Sequence, residues 1–300
     1  MRGIIVLFLF LFSLSVNGQM VIDSYRFGAA APADLLLDSF PSAGGAWSLR
    51  KLDKDYAGNC IMVVRTNGDS TDVGFAGNFL DTVALKTFCG TGGTDSCTVR
   101  VWYDQSGNTL NVRQNTRANQ PSILSAGVIR RDNGNVALRF WGSGDELETA
   151  ATAFNAGGFL SAFAYIGDHT SVSNDFFGNR DAASLGGWAY LYRISASRYL
   201  AANITFNTQT YTVTKFSRHL ISILRASNNS FETYYNNALQ GTAGGTNGHS
   251  TAGSVFAIGS DGNSGGFTNG FIHEVIIYAS DQSANRAAIS TNINNFYQIY

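Results

Sequence analysis

From about Val136 onward the chain is a succession of short apolar runs, each closed by Gly, Asn or Ser. This punctuation constrains the fold more than any other feature. The runs are Ala137–Phe140, Phe159–Ile166, Trp188–Ile194, Tyr199–Ile204, Tyr211–Thr214, Leu220–Arg225, Phe231–Tyr235, Val255–Gly259 and Phe271–Tyr278. They are rich in β-branched and aromatic residues, which suit a pleated, half-buried surface. Short strands at this spacing with polar turns predict a sandwich; a βαβ fold would separate its strands by helical patterns. The chain's 33 Gly and 3 Pro give many turn-permissive positions and few rigid ones, in keeping with strands and loops. One helix is expected at the end, over Ser283–Tyr297, where Ala287, Ile289, Ile293 and Phe296 recur at helical intervals.

Residues 19–135 have a different texture. Helical turns are expected over Ala46–Leu52 and a short amphipathic helix over Leu80–Phe88. Cys60–Arg65 and Cys97–Asp104 read as strands, the second with Val99, Val101 and Tyr103 on one face and Arg100 and Trp102 on the other. No linker is rich enough to separate two domains. The expectation is one all-β domain over residues 19–300, with 19–135 as an N-terminal elaboration and 136–300 as the main jelly-roll strands and terminal helix.

Met1-Arg2, the apolar stretch Ile4–Leu14 and the small residues before Gln19 read as a signal peptide over residues 1–18. That stretch is too short to cross the ~30 Å core of a bilayer, so no membrane span is expected and the chain reads as secreted. A formal charge of −1 without a basic run argues against a nucleic-acid partner. Export permits disulfides. Cys89 and Cys97 bracket a glycine-rich loop that allows a tight return, so they are expected to be bonded, with Cys60 a buried free thiol. The cysteines and histidines lack metal-ligand spacing.

Several motifs together resemble one family. Ala46-Trp47-Ser48-Leu49-Arg50-Lys51-Leu52, Asp72-Val73-Gly74-Phe75, Leu80-Asp81-Thr82 and Phe88-Cys89 are followed by Cys97 and Trp102-Tyr103-Asp104-Gln105-Ser106-Gly107-Asn108. With Ala257-Ile258-Gly259-Ser260-Asp261-Gly262-Asn263 and Gly270–Tyr278, this pattern is similar to the catalytic domain of α-L-arabinofuranosidase B, glycoside hydrolase family 54. The C-terminal stretch is shared more widely by concanavalin A-like and laminin G-like jelly rolls. The resemblance is dense over residues 46–108 and 255–300. It implies a concanavalin A-like jelly-roll sandwich and a secreted, carbohydrate-active role on arabinose-containing or related polysaccharide.

The family is a retaining hydrolase with a nucleophilic carboxylate and an acid/base carboxylate roughly 5 Å apart. By resemblance Asp261 takes the acid/base place; read by itself it is equally a turn aspartate bonding its own backbone. Ala189 stands where the family carries its nucleophilic glutamate, and Phe176-Phe177 where it carries a vicinal cysteine pair. The chain's glutamates are Glu146, Glu148, Glu232 and Glu274, and none lies near Ala189. Alanine forms no glycosyl ester, so hydrolysis is expected to be far below the family's, with Asp175 and Asp181 as replacement candidates.

The expected ligand-binding residues are Asp104, Gln105, Asn108, Trp188 and Asn263. In Asp104-Gln105-Ser106-Gly107-Asn108 the oxygens suit sugar hydroxyls or a calcium ion, or else a turn that locks the elaboration onto the sandwich. No cofactor is otherwise implied. Trp47, Trp102, Trp141 and Trp188 are candidates for stacking on sugar faces or for the core. Asn203 and Asn228 begin glycosylation sequons. His273-Glu274 lacks the second histidine of a zinc helix. The reading from another class is a non-catalytic lectin-like or adhesion module; a surface protein without a sugar ligand is the third.

Overall fold

The strand Asn269–Tyr278 organises the molecule. One edge pairs antiparallel with Gly45–Ser48 and Leu138–Trp141, and the other pairs with Leu160–His169. His219–Arg225, Phe231–Tyr235 and Ala238–Ala243 extend this layer. The computed structural model describes residues 35–154, 159–169, 175–179, 190–195, 198–203, 207–212, 218–225, 230–243, 255–260, 262 and 266–300. All of them belong to one compact unit, Ala31–Tyr300.

A second layer runs Leu147–Thr152, Val255–Ile258, Asp175–Gly178, Tyr190–Ser195, Arg198–Asn203 and Asn207–Thr212, each antiparallel to the next. On the free edge of Leu147–Thr152 lies Val112–Arg113, which leads through Ser96–Trp102 to Ile61–Arg65 and Ser70–Val73. The layers meet in one apolar core. Trp47 stacks on Phe256 across it at 5.2 Å, and Phe154 meets Phe256 edge-on at 5.3 Å. Val275, Ile277, Ala162 and Ile221 face Phe177, Ile258 and Leu147 from the opposite layer, all buried. Each such large side chain contributes ~1.5–3 kcal/mol by leaving water. This is the all-β sandwich expected from the sequence.

A second cluster covers the outside of the first layer. Phe163, Tyr165, Leu220, Leu224, Ile276 and Tyr278 are sealed by the helix Arg286–Tyr297 and the short helix Leu36–Ser39. The Asn269–Tyr278 strand is therefore buried on both faces, which explains its nearly unbroken apolar run.

Two local expectations are corrected. Ala46–Leu52 begins as a strand, Gly45–Ser48, and not as helical turns. Trp47 points into the sandwich and Ala46 into the outer cluster, so both faces are apolar and no alternation marks the strand. In Ser96–Trp102 the buried residues are Cys97, Val99 and Trp102. A register shift opposite Met62 and Val63 leaves Arg100 as the extra residue and turns Trp102 inward with Val99.

The helix expected at Leu80–Phe88 runs Thr82–Cys89. The Asp81 carboxylate caps it, accepting the Val83 and Ala84 amides at 3.0 and 2.9 Å. Gly90 ends it at φ +93°, where a side chain would also strike the Asp95 carboxylate. Cys89 and Cys97 are joined, with 5.8 Å between their α-carbons, and Cys60 is free and buried.

Candidate functional site

The Asp104 motif binds its own fold. Asp104 Oδ1 accepts the Ala46 amide at 2.8 Å and the Ser106 amide at 2.9 Å. Its Oδ2 accepts the Ser106 hydroxyl at 2.8 Å and the Leu110 amide at 3.0 Å. Gln105 Oε1 accepts the Leu52 amide, and its Nε2 donates to the carbonyls of Ser48 and Arg50. Asn108 Nδ2 donates to the carbonyls of Ala43 and Gly44. These three side chains fasten residues 43–52 to the end of the Ser96–Trp102 strand. The Asp104 oxygens thus hold four hydrogen-bond donors, an environment built for an anion and not for a calcium ligand. Among the described residues no group of three His, Cys, Asp or Glu side chains is placed to hold a metal.

The structure also assembles a buried polar group that local sequence did not signal. Arg50 forms a two-pronged pair with Glu274, at 2.7 Å from Nε and 2.9 Å from Nη2, and Ser48 and Tyr297 donate to the same carboxylate. Burial disfavours the Arg50 charge, but Glu274 outweighs it and raises the guanidinium's pKa. Nearby, His273 Nε2 lies 3.1 Å from Asp132, which also accepts Arg218 at 3.1 Å. Burial pushes the His273 pKa down, and the imidazole stacks on Tyr165 at 4.0 Å. No hydrogen bond joins His273 to a serine, threonine or cysteine among the described residues, so this pair has no nucleophile to activate.

The chemically poised carboxylates lie on the second layer, facing away from the core. Leu147 points inward, so Glu148 points outward by strand alternation, and Glu146 immediately precedes the strand. Glu148 stands between Arg113 and Ala257 on the neighbouring strands. Glu146 is 8% exposed and accepts the Ser260 hydroxyl at 2.6 Å. Burial, reinforced by the Glu146 charge, pushes the Glu148 pKa up to about 7. Asp145 beside them is raised to about 6 by burial, against the Trp141 amide and Arg139. A carboxyl that keeps its proton near neutrality, next to a second one, can donate a proton or a hydrogen bond where an ordinary carboxylate only accepts.

Ser260, bonded to Glu146, immediately precedes Asp261 in the chain. Asp261 itself lies outside the described residues, as do Asn263, Trp188, Ala189, Asp181 and Asn228. Asp175 is buried, its carboxylate packed against Gly266, a glycine at φ +64°. Of the tryptophans, Trp47 and Trp102 are wholly buried core residues, whereas Trp141 is 47% exposed. Glu146 and Glu148 were missed as site residues. Their signal is a spacing of two across the start of a strand, and Leu147–Thr152 is too poorly apolar to read as one. A separate cleft of about 400 Å³, beside Val83, Lys86 and Arg131, is lined by no carboxylate.

Solved structures share this fold. A family 54 α-L-arabinofuranosidase soaked with a cyclic sulfate inhibitor matches at TM-score 0.70 and 17% identity, covering 86% of this chain and 64% of that one. An arabinofuranosidase complexed with arabinofuranosyl-α-1,2-xylobiose matches at TM-score 0.69 and 16% identity, with the same coverage. A mutant of the family 54 enzyme soaked with 4-nitrophenyl α-L-arabinofuranoside matches at TM-score 0.70 and 17% identity. The chain has the fold of these arabinofuranosidase structures and spans 64% of their length. No family model and no curated protein matches it. Among the described residues no helix is long and apolar enough to cross a membrane.

Proposed function

We propose that this chain is a secreted carbohydrate-active protein that engages arabinofuranosyl-bearing polysaccharide at the outer face of the Leu147–Thr152 and Val255–Ile258 strands. The observation that carries the reading is the Glu146–Glu148 pair, tied through Ser260 to the Asp261 loop on an arabinofuranosidase fold. Glu148 donates from its protonated form to a sugar oxygen, and Glu146 accepts from a sugar hydroxyl. The buried Cys89–Cys97 disulfide is at home in an oxidising compartment, which supports secretion through residues 1–18.

Ala189 at the place of the family's nucleophile favours binding over turnover, because the covalent route is closed without a carboxylate there. The test is affinity electrophoresis of the mature chain in arabinoxylan gels across pH 5–9. Retardation should weaken above pH ~7 as Glu148 ionises, and Glu148→Gln should remove that dependence. Wild-type protein unretarded at every pH would overturn the reading.

A further inference from the structure

At the far end of the first layer, Trp141 lies on the outer face of the Leu138–Trp141 strand, opposite Asn269. Its indole is 47% exposed. The Arg139 guanidinium sits 4.5 Å from the ring centroid and the Arg130 guanidinium 5.2 Å from it. Arg139 also lies 5.2 Å from the Phe271 ring and donates to Asn269 at 2.6 Å. It is thereby held between strands.

Among the described residues Arg130 has no carboxylate partner, and its Nε, like Arg139 Nη1, is buried without an acceptor. A single exposed aromatic residue is ordinary on a protein surface. An exposed indole flanked by two guanidiniums, one of them without a carboxylate partner among the described residues, is a different surface: it offers an apolar face and an unneutralised cation side by side. Asp145 accepts the Trp141 amide at 2.9 Å and feels the Arg139 charge, and Asp132 accepts Arg218 and His273.

We propose that Trp141 and Arg130, with Arg139 as the fixed wall, form a second carbohydrate site that takes uronate-bearing polysaccharide. A uronic acid presents both required surfaces in one residue. Its C–H-rich pyranose face packs on the indole, and its C5 carboxylate lies at the ring edge within reach of a guanidinium. The planar guanidinium fork matches a carboxylate, and a neutral sugar brings no anion to the Arg130 charge. The formal charge of −1 and absence of basic runs argue against a nucleic-acid occupant. The site uses neither Glu146 nor Glu148.

The experiment is affinity electrophoresis of the full chain in native gels containing polygalacturonate, dextran sulfate or neutral dextran. Polygalacturonate should retard the wild type, and free galacturonate should reverse the retardation. Arg130→Gln and Trp141→Ala should each raise the dissociation constant about tenfold or more, the loss of a charge-assisted contact. Arg130→Lys should lose less, and Glu148→Gln nothing. Thermal melts check that the variants remain folded, and galacturonate competition on the wild type stands without them. No retardation by polygalacturonate, equal retardation by dextran sulfate, or unchanged binding in both variants would overturn the proposal.

Discussion

The Ser260 hydroxyl donates to the Glu146 carboxylate at 2.6 Å, across a sequence separation of 114 residues. That bond joins the residue before Asp261 to the start of the strand whose next outward-facing side chain is Glu148. It joins two segments that sequence keeps apart. Ser260 Oγ also accepts the Gly262 amide at 3.1 Å, so the hydroxyl bridges Glu146 and the loop's own backbone.

The raised Glu148 pKa is a statement about stability. The folded chain holds that proton up to about 7, whereas the ordinary value is 4.5. Between those values the native state binds more protons than the unfolded one, so stability falls as pH rises through the window. Glu148→Gln should remove ~2 kcal/mol of the loss between pH 5 and pH 8, after allowance for partial solvation. Urea denaturation of both proteins at both pH values measures it. The Asp145 contribution is common to both and cancels; an unchanged pH dependence would mean that Glu148 titrates normally.

The disulfide should carry a definite share of stability. Cys89 and Cys97 are separated by 8 residues and close a short loop at the end of the Thr82–Cys89 helix. In the chain-entropy account such a loop contributes ~2.5 kcal/mol. Replacing both cysteines by serine should lower the unfolding free energy by that amount, read from denaturant midpoints at constant slope. Non-reducing peptide mapping should find Cys60 unlinked.

How far the sequence reached depends on the range of the interactions. The outer strands and the terminal helix were legible because their periodicity is local. Gly45–Ser48 was not, because Ala46 and Trp47 are each buried against a different cluster. Trp102 was assigned to the wrong face because a bulge at Arg100 resets the alternation. The Arg50–Glu274 and Asp132–His273 pairs span 224 and 141 residues, and nothing local marks them. Glu146 and Glu148 were visible as residues but not as a pair, since Glu-Thr-Ala-Ala-Thr carries too little apolar character to declare a strand.

The Arg50–Glu274 pair should behave as a buried ion pair. Glu274→Gln leaves a guanidinium 2% exposed without its counter-charge. The expected loss is ~3–5 kcal/mol, and replacing Arg50 by Met together with Glu274 by Leu should cost less than either single change. A double-mutant cycle by chemical denaturation tests this; independent, additive losses would contradict it.

Asp104 separates fold from binding. Asp104→Ala strands the amides of Ala46, Ser106 and Leu110 inside the motif. We expect a loss of ~3 kcal/mol or more in stability. At temperatures where the variant stays folded, polysaccharide retardation should be unchanged. Weakened retardation by a fully folded variant would return Asp104 to the ligand.

If the Glu146–Glu148 face engages arabinofuranosyl polysaccharide with little or no turnover, binding and hydrolysis separate. The most direct measurement follows arabinoxylan binding and 4-nitrophenyl α-L-arabinofuranoside hydrolysis in one preparation of the mature chain. The expected result is binding that Glu148→Gln alters, with turnover orders of magnitude below the ordinary enzyme range of ~1–10³ s⁻¹. Turnover within that range, abolished by Asp261→Asn, or binding indifferent to Glu148, would contradict it.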